Sequence, residues 1–316
     1  MYMSSDEFSK ATQQFRLEKF EVIQRSEGTM GKNGPVELQF CENEATINIH
    51  IEQDFLRTIT LTSDASVPFS RFMHCFQVVE QMLMIFEGRF YHIEKINCDG
   101  CSNEYDSKTI SQEYLDRRLP FYKSSNICKF YGMELLDFYK FISTDSLQKW
   151  SLLLDELDIL HPVILYCLAE TGIPVDTKCA HLIESFEPMV ELISKHESWF
   201  PSLKPGDKGT TLKMCIDAII SRYGKDLFGQ EYSQDKEKFL QMLVDNRNRI
   251  MHIKSKQNKK YFYGLHCSLC IAKISLLYRH IILSFLGVDY LCYEENLKCA
   301  IGKFIPRFPG MPSSLI

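Results

Sequence analysis

The chain contains no run of about 18 uninterrupted apolar residues, the least that a bilayer-spanning helix needs. Its first ten residues, MYMSSDEFSK, are polar and acidic and hold no apolar signal core. Neither a membrane anchor nor export is expected, and the cytoplasm is the expected compartment. An excess of positive charge is also missing: 36 Lys and Arg stand against 41 Asp and Glu, for a net charge of -5. That balance excludes a general coat for nucleic acid, although it permits a local basic site. No Walker A loop and no GxGxxG, HExxH or GxSxG string occurs, so the sites those motifs build are not expected. Internal repeats and low-complexity tracts are absent as well.

What is present suits a globular protein. In 316 residues, 45% hydrophobic and 24% charged side chains suffice for two separate cores. The 12 cysteines are scattered, and Cys75, Cys167, Cys179, Cys215, Cys267 and Cys270 lie in apolar helical context. They read as reduced thiols that pack like small hydrophobes.

The patterning changes character along the chain. Residues 1–16 read as a mobile polar leader. Residues 17–24, 35–41, 45–51 and 56–62 alternate apolar and polar side chains between turn signals, which predicts an antiparallel β meander. Pro68 opens and Gly88 closes a helix whose Phe72, Phe76, Val79, Leu83 and Phe86 recur at helical spacing. A further strand is predicted over 90–97, a long polar loop over 98–126, and a strand or helix start over 127–132. From about residue 133 only helical patterns remain. The expected architecture is α+β: a leader (1–16), a β-rich domain with one packed helix (17–142), and an all-α bundle (143–316).

One string in the bundle carries chemistry. DNRNRIMH, residues 245–252, places Asn248 directly after Arg247 and His252 five residues beyond the arginine, at the end of an amphipathic helix. An Arg–His pair at this spacing arises about once by chance in such a chain, so context has to carry the reading. The competing reading is a surface helix end whose basic side chains satisfy the last carbonyls. On a helix Asn248 and His252 share a face. Arg247 and His252, five apart, point about 140° from each other, so a long arginine has to reach round or the motif has to straddle a helix end.

The helical half, with Arg247-Asn248-x-x-x-His252 and the long apolar helix 261–286, resembles the HEPN superfamily of ribonucleases. The whole layout, a β-rich region followed by this bundle, looks like the ApeA family of bacterial anti-phage proteins. The resemblance implies a metal-independent endoribonuclease without a cofactor, RNA as substrate with tRNA as the suggested class, and a homodimer with a composite active site. It further implies an abortive-infection effector with a phage-derived trigger, the β domain acting as sensor. Chemistry agrees with those residue types: His252 is suited to take the proton of the RNA 2′-OH at neutral pH. Arg247 is suited to stabilise the charge of the phosphorane-like transition state, and Asn248 to orient the phosphate or the imidazole. Two other classes stay open: a catalytically silent HEPN dimerisation module that regulates a partner, and an unrelated bundle in which the string is incidental.

Three further features need both readings. KSKQNKK (254–260), with Lys254, Lys256, Lys259 and Lys260, is either a solvated turn or a grip on the RNA backbone. Tyr261, Phe262 and Tyr263, which follow it, either stack on bases or pack in the core. Cys98 and Cys101 form a CxxC in the predicted loop 98–126; they are weak zinc candidates, since a structural site needs four ligands and only His92, Cys128 and Cys75 offer themselves as the others. Cys267 and Cys270, a second CxxC, sit in an apolar helix and read as core. The acidic Asp155, Glu156 and Asp158 read as a solvated helix face. Ligand-dependent ordering is expected, if anywhere, in the loop 98–126.

Overall fold

A computed structural model describes residues 3–25, 33–42, 45–101, 106–118, 134–169, 172–207, 209–253 and 261–304, without the side chains of residues 101, 301, 303 and 304. The chain divides into two compact units, Met1–Ile127 with Asp137–Leu152, and Cys128–Leu136 with Leu153–Ile316.

The first unit is built on a five-stranded antiparallel sheet: β1 (Arg16–Arg25), β2 (Asn33–Glu42), β3 (Ala45–Gln53), β4 (Leu56–Pro68) and β5 (Ile93–Cys101), in the order β2-β3-β4-β1-β5. The predicted meander holds for β2-β3-β4, but β1 pairs with β4 and β5 instead of β2. Central placement suits β1, whose Leu17, Phe20, Val22 and Gln24 are all fully buried. Helix α2 (Phe69–Glu87) covers the sheet. Its Phe69, Phe72 and Phe76 rings lie 5.5 to 6.3 Å from Phe20. Gly88 ends it at φ 66°, a left-handed cap that donates its N–H to the Met84 carbonyl.

Two stretches differ from expectation. The leader read as mobile forms α1 (Ser5–Gln14), because Ser4 and Glu7 make a reciprocal capping box and Ala11 and Phe15 are buried. Most of the described part of the loop 98–126 is regular: β5 runs to Cys101, and Asp106 caps α3 (Ser107–Arg117) by accepting from the Thr109 N–H at 2.9 Å. The CxxC thus lies in a strand. A Cβ on its Gly100 would come within 2.4 Å of the Arg16 carbonyl oxygen, so the glycine there permits close strand pairing. Residues 127–132 lie outside the described residues. The short helix α4 (Phe138–Phe141) completes the unit, together with the first half of α5 (Thr144–Leu157).

The second unit is a helical bundle: α6 (Leu160–Leu168), α7 (Val175–Glu184), α8 (Phe186–His196), α9 (Leu212–Tyr223), α10 (Lys225–Met251), α11 (Leu265–Phe285) and α12 (Glu294–Phe304). Two breaks divide the helical stretches that run from Thr144 to Leu168 and from Val175 to His196. Asp158, at φ 41°, separates α5 from α6. Pro188, which has no N–H to give the Glu184 carbonyl, marks the break between α7 and α8. Helix α9 ends at Gly224, its C-cap. Helix α10 kinks at Asp235 (φ -162°, ψ 85°), whose carboxylate recaps the second half through the Lys238 N–H at 3.0 Å. Helix α11 is long and apolar enough to cross a membrane by composition, but most of it is buried as the core of this unit.

Candidate active site

The second half of α10 buries Phe239, Leu240, Leu243 and Asn246. Asn246 reaches the Cys179 Sγ of α7 at 3.8 Å, which fixes α10 against α7 where α7 ends. The next residue, Arg247, therefore faces Glu184, the last residue of α7. Its Nη2 donates to Glu184 Oε1 at 2.5 Å and its Nε donates to Glu184 Oε2. This is a two-point clamp on a half-buried guanidinium. The Glu184 hydrogen bonds push the Arg247 pKa further up against the cost of burial, so the arginine is a permanent cation.

The remaining nitrogen, Nη1, donates to Asn248 Oδ1 at 2.8 Å and lies 3.1 Å from His252 Nε2. Since a guanidinium only donates, Nε2 is the acceptor in this contact. The 140° separation is overcome at the helix end. His252 is the C-cap of α10 (φ -106°, ψ 8°), and the side chain of Arg247 reaches round to it. Ile253 follows at φ 47°, a left-handed conformation that is unfavourable for a β-branched residue, and it is 93% exposed. The three motif residues thus form one cluster beside a strained, solvent-facing turn.

Glu184 is the member of the cluster that sequence reasoning missed. The signal was Pro188, which predicts a helix break four residues after Glu184, but nothing in the sequence tied that break to Arg247. Glu187 stands nearby, its pKa raised by burial and by the Glu184 charge.

The other candidates fare differently. Lys254, Lys256, Lys259 and Lys260 lie outside the described residues. Tyr261 is only 7% exposed, and its ring packs under the Arg249 guanidinium at 4.8 Å. This burial favours, for Tyr261, the reading as a packed core residue over base stacking. Cys98 Sγ lies 3.2 Å from Ser111 Oγ, and burial pushes its thiol up to about 11, which disfavours the thiolate a zinc ion needs. Among the described residues no three His, Cys, Asp or Glu side chains gather as a metal site. His161 is buried in the core and His280 is half-buried, bonded to Tyr278 Oη at 2.7 Å and Tyr293 Oη at 2.9 Å respectively.

The bundle that brings Arg247, Asn248 and His252 together at the end of α10 is similar to the HEPN class of helical domain. Residues 176–291 match the family model described as Apea-like HEPN, and that segment of the chain is an ApeA-like HEPN domain. The match begins one residue into α7 and takes in Glu184, Arg247, Asn248 and His252. Members of the HEPN family are generally ribonucleases. No curated protein and no solved structure matches the chain.

Proposed function

We propose that the protein is a metal-independent endoribonuclease that acts as an abortive-infection effector against phage, with tRNA as the favoured substrate class. The observation that carries this reading is the 3.1 Å approach of Arg247 Nη1 to His252 Nε2, with Asn248 on the same nitrogen and Glu184 behind it.

The chemistry follows from those atoms. When RNA binds, the Arg247 Nη1–H turns from His252 Nε2 to a phosphate oxygen, and the Nε2 lone pair so freed takes the proton of a ribose 2′-OH. The 2′-oxygen then attacks the adjacent phosphorus, and the bond from phosphorus to the 5′-oxygen breaks. The Arg247 cation, aimed by Glu184, offsets the negative charge gathered on the phosphorane oxygens. Asn248 shares the Arg247 Nη1 and orients a phosphate oxygen or the ring. The leaving 5′-oxygen takes a proton from water or from the imidazolium of a second copy. A homodimer that sets two such clusters face to face supplies that second imidazole, and we include it in the reading. The products carry a 2′,3′-cyclic phosphate and a 5′-OH. End-group analysis of cleaved tRNA tests this: cyclic phosphate ends are expected, whereas 5′-phosphate ends together with a requirement for divalent metal would contradict it. The first unit is proposed as the sensor of a phage-derived trigger.

A further inference from the structure

Arg249, two residues past Arg247, has surroundings of its own. Its guanidinium carbon lies 4.8 Å from the centroid of the Tyr261 ring and 5.4 Å from that of Tyr263. These tyrosines lead into α11, with Gly264 as its N-cap. The inner ring, Tyr261, is buried, whereas Tyr263 is 44% exposed. Tyr261 is a floor and Tyr263 a half-exposed wall, and between them a partly exposed cation is held in place.

The position on α10 matters. Arg249 and His252 are three residues apart and neighbours on one flank, whereas Arg247 lies about 200° round from Arg249. Arg249 is therefore outside the Glu184 clamp. Among the described residues no carboxylate lies within ion-pair distance of it, in contrast to Arg247. Two stacked rings lower the entropy cost of holding a guanidinium and leave its in-plane N–H groups for an anion. A half-exposed tyrosine beside such an arginine offers a π-face for a nucleobase.

We propose that Arg249 and Tyr263 form a substrate subsite beside His252, in which Arg249 binds a phosphate flanking the scissile one and Tyr263 stacks on the adjoining base. This inference rests on the ribonuclease reading and adds a strand-holding site to it. Arg249 and Tyr263 are positioning residues and touch no reacting bond. The alternative is a purely structural role, in which Arg249 pins Tyr261 and Tyr263 to α10.

The test is equilibrium binding of bulk tRNA and of a short single-stranded RNA to the full-length, non-cleaving His252→Ala protein across a salt series. Arg249→Ala, Arg249→Lys, Tyr263→Ala and Tyr263→Phe are placed in that background, and thermal melts of each are run alongside. Loss of one phosphate contact should weaken binding roughly 5- to 50-fold and lower the slope of log affinity against log salt by about one. Arg249→Lys should keep the slope and recover part of the affinity. Tyr263→Ala should weaken binding at every salt concentration by at least about fivefold with the slope unchanged, as expected for lost stacking, and Tyr263→Phe should bind as the parent does. In the cleaving protein Arg249→Ala should raise KM far more than it lowers kcat. A lowered melting temperature with the parental salt slope would overturn the subsite in favour of the structural role. Parental affinity in Arg249→Ala and Tyr263→Ala would overturn it outright, while cleavage by wild type left the ribonuclease reading standing. If wild type does not cleave RNA and the His252→Ala protein does not bind it, the ribonuclease reading fails and the subsite with it.

Discussion

Replacing Glu184 by alanine removes both anchors of the Arg247 guanidinium and leaves its bonds to Asn248 and His252 in place. The stability cost should be small. Side-chain exposures of 18% for Arg247 and 33% for Glu184 put this pair near the solvated limit, where an ion pair contributes about 1 kcal/mol or less. The kinetic cost should be larger, because the arginine is then held only through the nitrogen that faces the histidine. A misplacement on the order of 1 Å in such a group costs about 100-fold in rate. Glu184→Ala is therefore expected to lower kcat about 10- to 100-fold with a nearly parental melting temperature. KM should hold steady or fall, since a cation released from its carboxylate attracts RNA more strongly. Glu184→Gln, which keeps one acceptor, should fall between. The assay is single-turnover cleavage of labelled tRNA with saturating enzyme, paired with a thermal melt. A kcat at or above that of wild type in Glu184→Ala would refute the reasoning and make Glu184 a restraint on the arginine instead of its support.

Other expectations concern stability. Lys273 and Glu231 form an ion pair buried in the second unit, so Lys273→Met should cost about 3 to 5 kcal/mol in chemical denaturation. Replacing both residues with apolar ones should recover most of that loss; a single variant as stable as wild type would contradict it. Burial holds the His161 pKa down at about 3 and the His280 pKa at about 4. The unfolded chain therefore binds protons at these two histidines that the folded chain does not. Their contribution to stability is intact above the ordinary histidine range and is lost as pH falls from about 6.5 toward the folded values, at about 1.4 kcal/mol per pH unit for each. A stability curve flat between pH 6.5 and 4.5 would count against this. Ile253→Gly removes a left-handed β-branched residue and should stabilise the protein by about 1 kcal/mol, less the extra freedom glycine gives the unfolded chain. If the strained turn also places His252, activity should drop in the same variant.

The parts of the fold that could be read from sequence are those in which one strong local signal agrees with burial. The α2 helix is bounded by Pro68 and Gly88 as its pattern predicts, because a missing N–H and a left-handed glycine act locally. Strand alternation located β2 and β3 to within two residues and the start of β4, because each has one core face, but it stopped six residues short of the end of β4 at Pro68. Strand order was not legible: the placement of β1 between β4 and β5 depends on partners more than thirty residues away. The polar composition of 1–16 and 106–117 concealed helices whose caps, the Ser4–Glu7 box and Asp106, were readable but outweighed by the lack of an apolar stripe. In the site, Arg247, Asn248 and His252 follow from one short string. Glu184 and Arg249 do not, because the meaning of each comes from α7 and from the lead-in to α11, brought to α10 by packing.

The central claim is that one cluster on α10 cleaves RNA without a metal ion. The measurement that tests it most directly is cleavage of total RNA and tRNA in the presence of EDTA by wild type, Arg247→Ala and His252→Ala. The account predicts cleavage by wild type and none by either variant, with all three folded by circular dichroism. Equal cleavage by the variants, or activity that EDTA abolishes and divalent metal restores, would contradict it.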